Sequence, residues 1–145
     1  MIILLDLNYT LVANSEVKTQ PFSEQIDNEL YRQDLLDAIN GHTIILITAR
    51  PEKYRIQTLM SIFDKTGWVP DDAYFNQGST PPKSKYFNLT EYIFPQYGVG
   101  ADYLAIESNP RTRKMYQQVG IKAVTYKEFM NGHTNELDVQ KPTGC

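Results

Sequence analysis

Asp6 follows directly on the apolar run Met1-Ile2-Ile3-Leu4-Leu5. A carboxylate at the end of a buried strand is costly unless a metal, a ligand or hydrogen bonds compensate it. The plainer alternative is a carboxylate that caps a turn. Three further groups of polar residues follow apolar runs or open helices. Thr48-Ala49-Arg50-Pro51-Glu52 comes after Thr43–Ile47. There a hydroxyl, the N–H groups of a following helix and a guanidinium fork could hold phosphate oxygens. An N-cap Thr48 and a surface Arg50 paired with an acid would be the structural alternative. Lys83-Ser84-Lys85 opens a helix, where either lysine could neutralise phosphate and carboxylate together or simply stand in solvent. Glu107-Ser108-Asn109-Pro110 closes another apolar run. A second acid there could join Asp6 around a hard divalent cation such as Mg²⁺, which takes carboxylate, water and phosphate oxygens. Two carboxylates and a phosphate dianion would otherwise repel, so a site of this design needs a metal.

The elements that must position these residues can be read from apolar spacing. Met1–Leu5 is continuously apolar with β-branched members, as a strand buried on both faces requires. Asn8 to Phe22 is polar and irregular. Ser23 reads as an N-cap for a helix from Gln25 to Ile39, with Ile26, Leu30, Leu35, Leu36 and Ile39 inward and Asn40-Gly41 closing it. Thr43–Ile47 is a second strand, and Pro51 suits the first turn of a helix that turns Ile56, Leu59, Met60 and Phe63 inward and ends at Gly67. Ala73–Phe75 is a third strand, and a helix runs from Pro82 to about Gln96. Tyr103–Ile106 is a strand, Pro110–Val119 a helix closed by Gly120, and Ile121–Thr125 the last strand, followed by a short helix from Lys127 to Met130. The expectation is an α/β fold: one Rossmann-like domain over residues 1–131, a mostly parallel central sheet with helices on both faces, no large cap, and a polar tail over 132–145. Asp6 and Asn8, Thr48 and Arg50, and Glu107 to Asn109 then share the carboxyl edge of the sheet, where open α/β folds bind ligands.

The bulk numbers narrow the classes. With 145 residues there is material for one domain and its core. A net charge of -3 argues against a broad non-specific nucleic-acid surface but leaves room for a small basic pocket. No apolar run approaches the roughly 18 residues that a membrane span needs, so no membrane partner is expected. The apolar start is short, lacks a basic flank and runs into Asp6, so it reads as a strand rather than a signal peptide. Cys145 is the only cysteine, which excludes an internal disulfide and fits a reducing cytoplasm. His42 and His133 have no partner at catalytic or ligand spacing.

Asp6-Leu7-Asn8-Tyr9-Thr10-Leu11 resembles the first motif, Asp-x-Asp-x-Thr-Leu, of the haloacid-dehalogenase-like (HAD) phosphohydrolase superfamily. Ile47-Thr48-Ala49-Arg50-Pro51 is similar to its second motif, a Thr or Ser after a hydrophobic strand. Lys83 or Lys85 fits the third, a Lys at a helix start. Leu104-Ala105-Ile106-Glu107-Ser108-Asn109-Pro110 resembles a modified fourth motif, ordinarily an acidic pair after a strand. The order is right across residues 1–125. The resemblance implies a Mg²⁺-dependent phosphatase in which Asp6 attacks phosphorus and forms an aspartyl-phosphate. It implies Mg²⁺ held by Asp6, the Asn8 carbonyl and Glu107, with Thr48 and a lysine, Lys85 or Lys83, on the phosphoryl oxygens. The Thr-x-Arg form is similar to members that act on phosphorylated nucleotides or nucleic-acid ends, with Arg50, Lys83 and Asn109 then meeting substrate. Leu11 to Phe22 falls where members carry a flap. Tyr9, Tyr54 and Trp68 could stack on a base, though core or surface aromatics are the commoner outcome.

Two positions depart from that pattern. The family's second aspartate, its general acid and base, is Asn8 here, and an amide does not exchange protons at useful pH. General acid–base catalysis typically contributes about 10²- to 10⁴-fold, or roughly 3–5 kcal/mol of barrier. Ser108 stands in place of the usual second acid of the fourth motif. Two readings follow: a phosphatase, slowed by Asn8, for a nucleotide or nucleic-acid phosphate, or a catalytically impaired domain that binds a phosphate ligand or a macromolecular partner. A flavodoxin-like receiver is disfavoured, because Leu7, Asn8 and Tyr9 do not form the acidic cluster it needs.

Overall fold

A computed structural model describes residues 1–133 of the chain. Most of the predicted tail, with Cys145, lies outside the described residues. Five parallel strands form one sheet in the order β3-β2-β1-β4-β5. They are β1 (Ile2–Leu5), β2 (Thr43–Pro51), β3 (Asp72–Asn76), β4 (Tyr103–Ile106) and β5 (Lys122–Val124). The helices are α1 (Phe22–Asp27), α2 (Gln33–Ile39), α3 (Arg55–Thr66), α4 (Pro81–Asn88), α5 (Phe94–Tyr97), α6 (Pro110–Gln118) and the single turn α7 (Tyr126–Glu128). A wider, π-type turn at Leu89–Ile93 joins α4 to α5, so the predicted helix from Pro82 to Gln96 is one nearly continuous rod. Among the described residues no helix is long and apolar enough to cross a membrane.

The inner strands β1 and β4 and the first half of β2 are apolar on both faces because both faces are covered. Ile3, Leu5, Ile44, Leu46, Leu104 and Ile106 point into one core with Leu35, Leu36, Ile39 and Ile62. Leu4, Ile45, Ile47, Tyr103 and Ala105 point into the other with Leu89, Ile93, Met115 and Tyr116. Alternate residues of one strand thus serve opposite layers, as a pleat with a two-residue period demands. Each fully buried Leu or Ile contributes about 1.5–3 kcal/mol relative to exposure, so β1, with Ile3, Leu4 and Leu5 all at 0% exposure, anchors the centre. The chain builds outward from β1 through β2 to β3, then returns to the other side of β1 for β4 and β5. The order of strands therefore reverses at β1 and β4, and the crevice beyond their carboxyl ends lies between Asp6 and Glu107.

Three expectations about elements need correction. The single helix from Gln25 to Ile39 is two, because the intervening residues are taken by the segment after β1. Ala13 N donates to Leu30 O, Arg32 N to Leu11 O, and Val12 and Tyr31 form an antiparallel bridge. Leu30, predicted inward, is consequently 60% exposed. The second strand runs on to Pro51, with its register against β3 shifting between Ile47 and Pro51, so Pro51 ends a strand instead of opening a helix. Helix α3 is rotated from the predicted phase. Thr58, Ser61 and Ile62 are buried, while Ile56, Met60 and Phe63 stand in solvent. Its polar stripe faces inward because a buried guanidinium and α1 need hydrogen-bonding partners there.

Candidate active site

Leu5 pairs with Leu46 on one side and Ile106 on the other, so the residues following β1 and β4 emerge together beside the second half of β2. Asp6 comes first. It is 5% exposed, and its backbone N–H donates to Ile106 O. Oδ1 accepts from Lys85 Nζ at 2.8 Å. Oδ2 accepts from Thr10 Oγ1 at 2.9 Å and Ser108 Oγ at 2.7 Å. Lys85 Nζ also donates to Glu107 Oε1 at 2.5 Å, and Asn109 N donates to Glu107 Oε2 at 3.0 Å. One ammonium thus bridges two buried carboxylates.

The electrostatics divide the two acids. Burial works against ionising Asp6, but the Lys85 charge and the hydrogen bonds from Lys85 and Ser108 outweigh it and hold the carboxyl below its usual range. Burial pushes Glu107 up to about 7, with the Asp6 charge adding to the rise and Lys85 opposing it. Burial likewise disfavours the Lys85 ammonium, yet the two carboxylates raise its pKa and keep it charged. The carboxylate best prepared to attack an electrophile is therefore Asp6.

The segment Leu7–Leu11 turns sharply back. Val12 N donates to Leu7 O, and Tyr9 lies at φ 61°, a left-handed conformation rare for a bulky residue. Tyr9 N donates to Ser15 Oγ at 2.7 Å, which helps to hold it there. The Asn8 carbonyl is thereby turned towards Ser108, whose Oγ lies 3.2 Å from it and 2.7 Å from Asp6 Oδ2. The Asn8 side chain is held by Arg50 Nη2, which donates to Oδ1 at 2.8 Å. A guanidinium only donates, so the amide oxygen must face it. The Asn8 NH₂ is left as the group a ligand could meet.

Arg50 departs from its expected place. It is 2% exposed and turned into the protein, forked onto Glu29, with Nη1 also on Thr58 Oγ1 and its carbon over the Phe22 ring. It contacts Asn8 from behind, and substrate contact by Arg50 has no geometric support. Thr48 lies within the extended β2 and is fully buried, with Oγ1 accepting from Arg50 N; Ala49, its neighbour, lines the cavity instead. The two lysines part in the structure: Lys85 is buried on Asp6, and Lys83 is exposed outside that cavity.

The cavity, of about 690 Å³, is lined by Asp6, Asn8, Tyr9, Ala49, Lys85, Glu107, Ser108 and Asn109 together with Pro81 and Pro110. Asn109 caps α6 through its side chain, which accepts from Arg111 N. Sequence reasoning missed Glu29, Thr10 and Ser15. Glu29 had no signal, since it falls inside the apparent helical pattern, whereas Thr10 was visible within the first motif. Among the expected stacking residues, Tyr9 lines the cavity, Tyr54 packs on Phe22, and Trp68 is partly buried against a core. His42 lies in the turn before β2 and, like the backbone turn that ends in His133, away from this cavity.

The donor chemistry fits a hard cation, though thinly. Asp6 Oδ2 and the Asn8 carbonyl oxygen are brought to one hydroxyl, that of Ser108, and Glu107 is the second acid in the cavity. Among the described residues no cluster of three acid, His or Cys ligands forms. Oxygen-only donors with few charges suit Mg²⁺, which keeps several waters.

No protein-family model matches this chain, and no curated protein does. Solved structures do. A chain in the structure of the Pnkp1/Rnl/Hen1 RNA repair complex superposes with a TM-score of 0.70 at 16% identity, over 86% of this chain and 41% of that one. A chain of a second Pnkp1/Rnl/Hen1 complex structure gives a TM-score of 0.68 at 16% identity, over 86% of this chain and 45% of that one. At such identity the likeness is one of fold. This chain spans less than half the length of either match.

Proposed function

We propose that this domain is a Mg²⁺-dependent phosphatase of HAD type, acting through an aspartyl-phosphate on the phosphate of a nucleotide or nucleic-acid end. One observation carries the reading: Asp6, held ionised by Lys85, Thr10 and Ser108, stands in an open cavity at the point where the strand order reverses. A buried carboxylate so prepared is a nucleophile looking for an electrophile. Its oxygen attacks phosphorus, the ester P–O bond breaks, and the leaving oxygen takes a proton. Water then attacks the acyl phosphate, releases inorganic phosphate and restores Asp6. Mg²⁺, when bound, would neutralise phosphoryl charge and fix its orientation; Asp6, the Asn8 carbonyl and Glu107 would hold it, with Ser108 beside them. Lys85 balances the second carboxylate and stays at hand for the phosphoryl oxygens. Asn8 contributes a hydrogen-bond donor but no proton, so the leaving group draws its proton from water and turnover is slow. The nucleic-acid part of the reading is supported by the fold shared with chains of an RNA repair complex.

A second reading, a phosphate-binding domain without turnover, is favoured by the Arg50 clamp on Asn8. The two separate on one assay. The wild-type chain, with and without Mg²⁺, is given p-nitrophenyl phosphate and 3′- and 5′-phosphorylated oligonucleotides. Mg²⁺-dependent release of phosphate that disappears in Asp6→Asn is expected. Tight retention of phosphate with no release by the wild type would favour the binding domain.

A further inference from the structure

Beside the Asp6 cavity lies a second groove, of about 420 Å³, between α4 and α6. Pro81 and Pro110 line the cavity, while Pro82 and Arg111, one residue further along each helix, line the groove, so the two are neighbours at the starts of both helices. The groove carries Lys83, Arg111 and Lys114, and no acid lines it. All three cations are exposed, and none makes an ion pair with a described residue. In a chain of net charge -3 such a local excess is out of character with the surface as a whole. Tyr86, 47% exposed, forms part of the same wall. Lys83 and Tyr86 are three residues apart on α4, as are Arg111 and Lys114 on α6. Each pair therefore stacks one turn below the other, leading away from the carboxyl edge of the sheet. Lys83, which the sequence offered as a substrate contact, lines this groove and not the Asp6 cavity.

We infer that this groove receives the single-stranded polynucleotide whose terminal phosphate enters the Asp6 cavity, with Lys83, Arg111 and Lys114 on backbone phosphates and Tyr86 stacked on a base. The inference rests on the phosphatase reading for the end group. The groove itself is argued from its own charge, and a mononucleotide would leave it unused. Cations along a strand path with an aromatic platform are what sequence-tolerant single-strand binding needs. An acidic protein segment would use the cations but has no base for Tyr86.

The test is fluorescence anisotropy with an end-labelled, unphosphorylated single-stranded oligonucleotide, titrated at several salt concentrations. Three phosphate contacts predict a slope of log affinity against log salt of about -2, and Arg111→Ala/Lys114→Ala makes it shallower by about 1.4. Tyr86→Ala is expected to weaken oligonucleotide binding by at least about 5-fold without changing the slope. The same variants leave hydrolysis of p-nitrophenyl phosphate at the wild-type rate, which also shows that they are folded. Absence of oligonucleotide binding by the wild type overturns the inference. So does an unchanged slope in the double variant, or an acidic peptide that competes fully and is indifferent to Tyr86→Ala. Loss of ester hydrolysis in the wild type would sink the phosphatase reading and leave the anisotropy result standing, so the two failures are distinguishable.

Discussion

Position 8 places an amide against a buried guanidinium. Asn8→Asp would put a carboxyl there, within reach of Arg50 Nη2. Restoring general acid–base catalysis is expected to raise kcat by about 10²- to 10⁴-fold. The gain should fall towards the lower figure, because Arg50 favours the ionised form of the new carboxyl and makes it a better base than acid. Steady-state hydrolysis of p-nitrophenyl phosphate reads this directly. Ser108 lies between Asp6 Oδ2 and the Asn8 carbonyl, where added negative charge would meet a cation. Ser108→Asp should therefore tighten Mg²⁺ binding by roughly tenfold or more, measured by calorimetry. Glu107 supplies a pH dependence. Its folded-state pKa of about 7 lies above its ordinary 4.5, so the folded chain holds this proton more firmly than the unfolded one. The associated stability is complete below about 4.5 and is lost as pH rises through 7. Asp6, lowered, acts in the opposite sense: it stabilises above its ordinary range, and that contribution is lost on acidification. A cation held as proposed would compete with the Glu107 proton, so Mg²⁺ affinity should increase between pH 6 and 8 and level off above.

At the scale of elements, the Glu29–Arg50 pair ties the connection between α1 and α2 to the end of β2 and explains why α3 is rotated. Glu29 lies in the connection between α1 and α2, Arg50 in the irregular end of β2, and Thr58 on the inner stripe of α3. Around them Ser61 meets Ile26 O and Tyr31 OH, and Lys65 Nζ meets the carbonyls of Asp27 and Glu29. Truncating one member of a buried ion pair leaves the other uncompensated, at about 3–5 kcal/mol. Glu29→Ala should show that loss in urea unfolding, and Glu29→Leu/Arg50→Met should recover most of it. Recovery of stability without recovery of turnover would assign Arg50 a positioning role towards Asn8.

Strand positions, the parallel sheet and the convergence of Asp6 and Glu107 with one of two lysines were legible in the sequence, because buried parallel strands are continuously apolar and ligands gather at their carboxyl ends. Arg50 and α3 were not. Hydrophobic spacing placed Ile56, Met60 and Phe63 inward, whereas the fold turns inward Thr58, which meets the buried Arg50 charge, and Ser61, which meets Ile26 O and Tyr31 OH. Periodicity counts apolar residues and carries no information about an ion pair contributed by residues 21 positions apart. Lys83 and Lys85 have the same charge and differ by two positions on one helix, so only packing could choose between them.

For the whole molecule, a five-stranded sheet whose order reverses at β1 brings one crevice together with one basic groove, and leaves the remaining surface acidic on balance. The proposed phosphatase reading requires that Asp6 bond to phosphorus. The direct measurement is a rapid acid quench of the chain with Mg²⁺ and a phosphorylated oligonucleotide, followed by intact-mass analysis and peptide mapping. A single phosphoryl group on the peptide containing Asp6, absent from Asp6→Asn and formed no more slowly than phosphate is released, is the predicted result. Phosphate release without any phosphorylated form of the chain, or with undiminished rate in Asp6→Asn, would contradict the account.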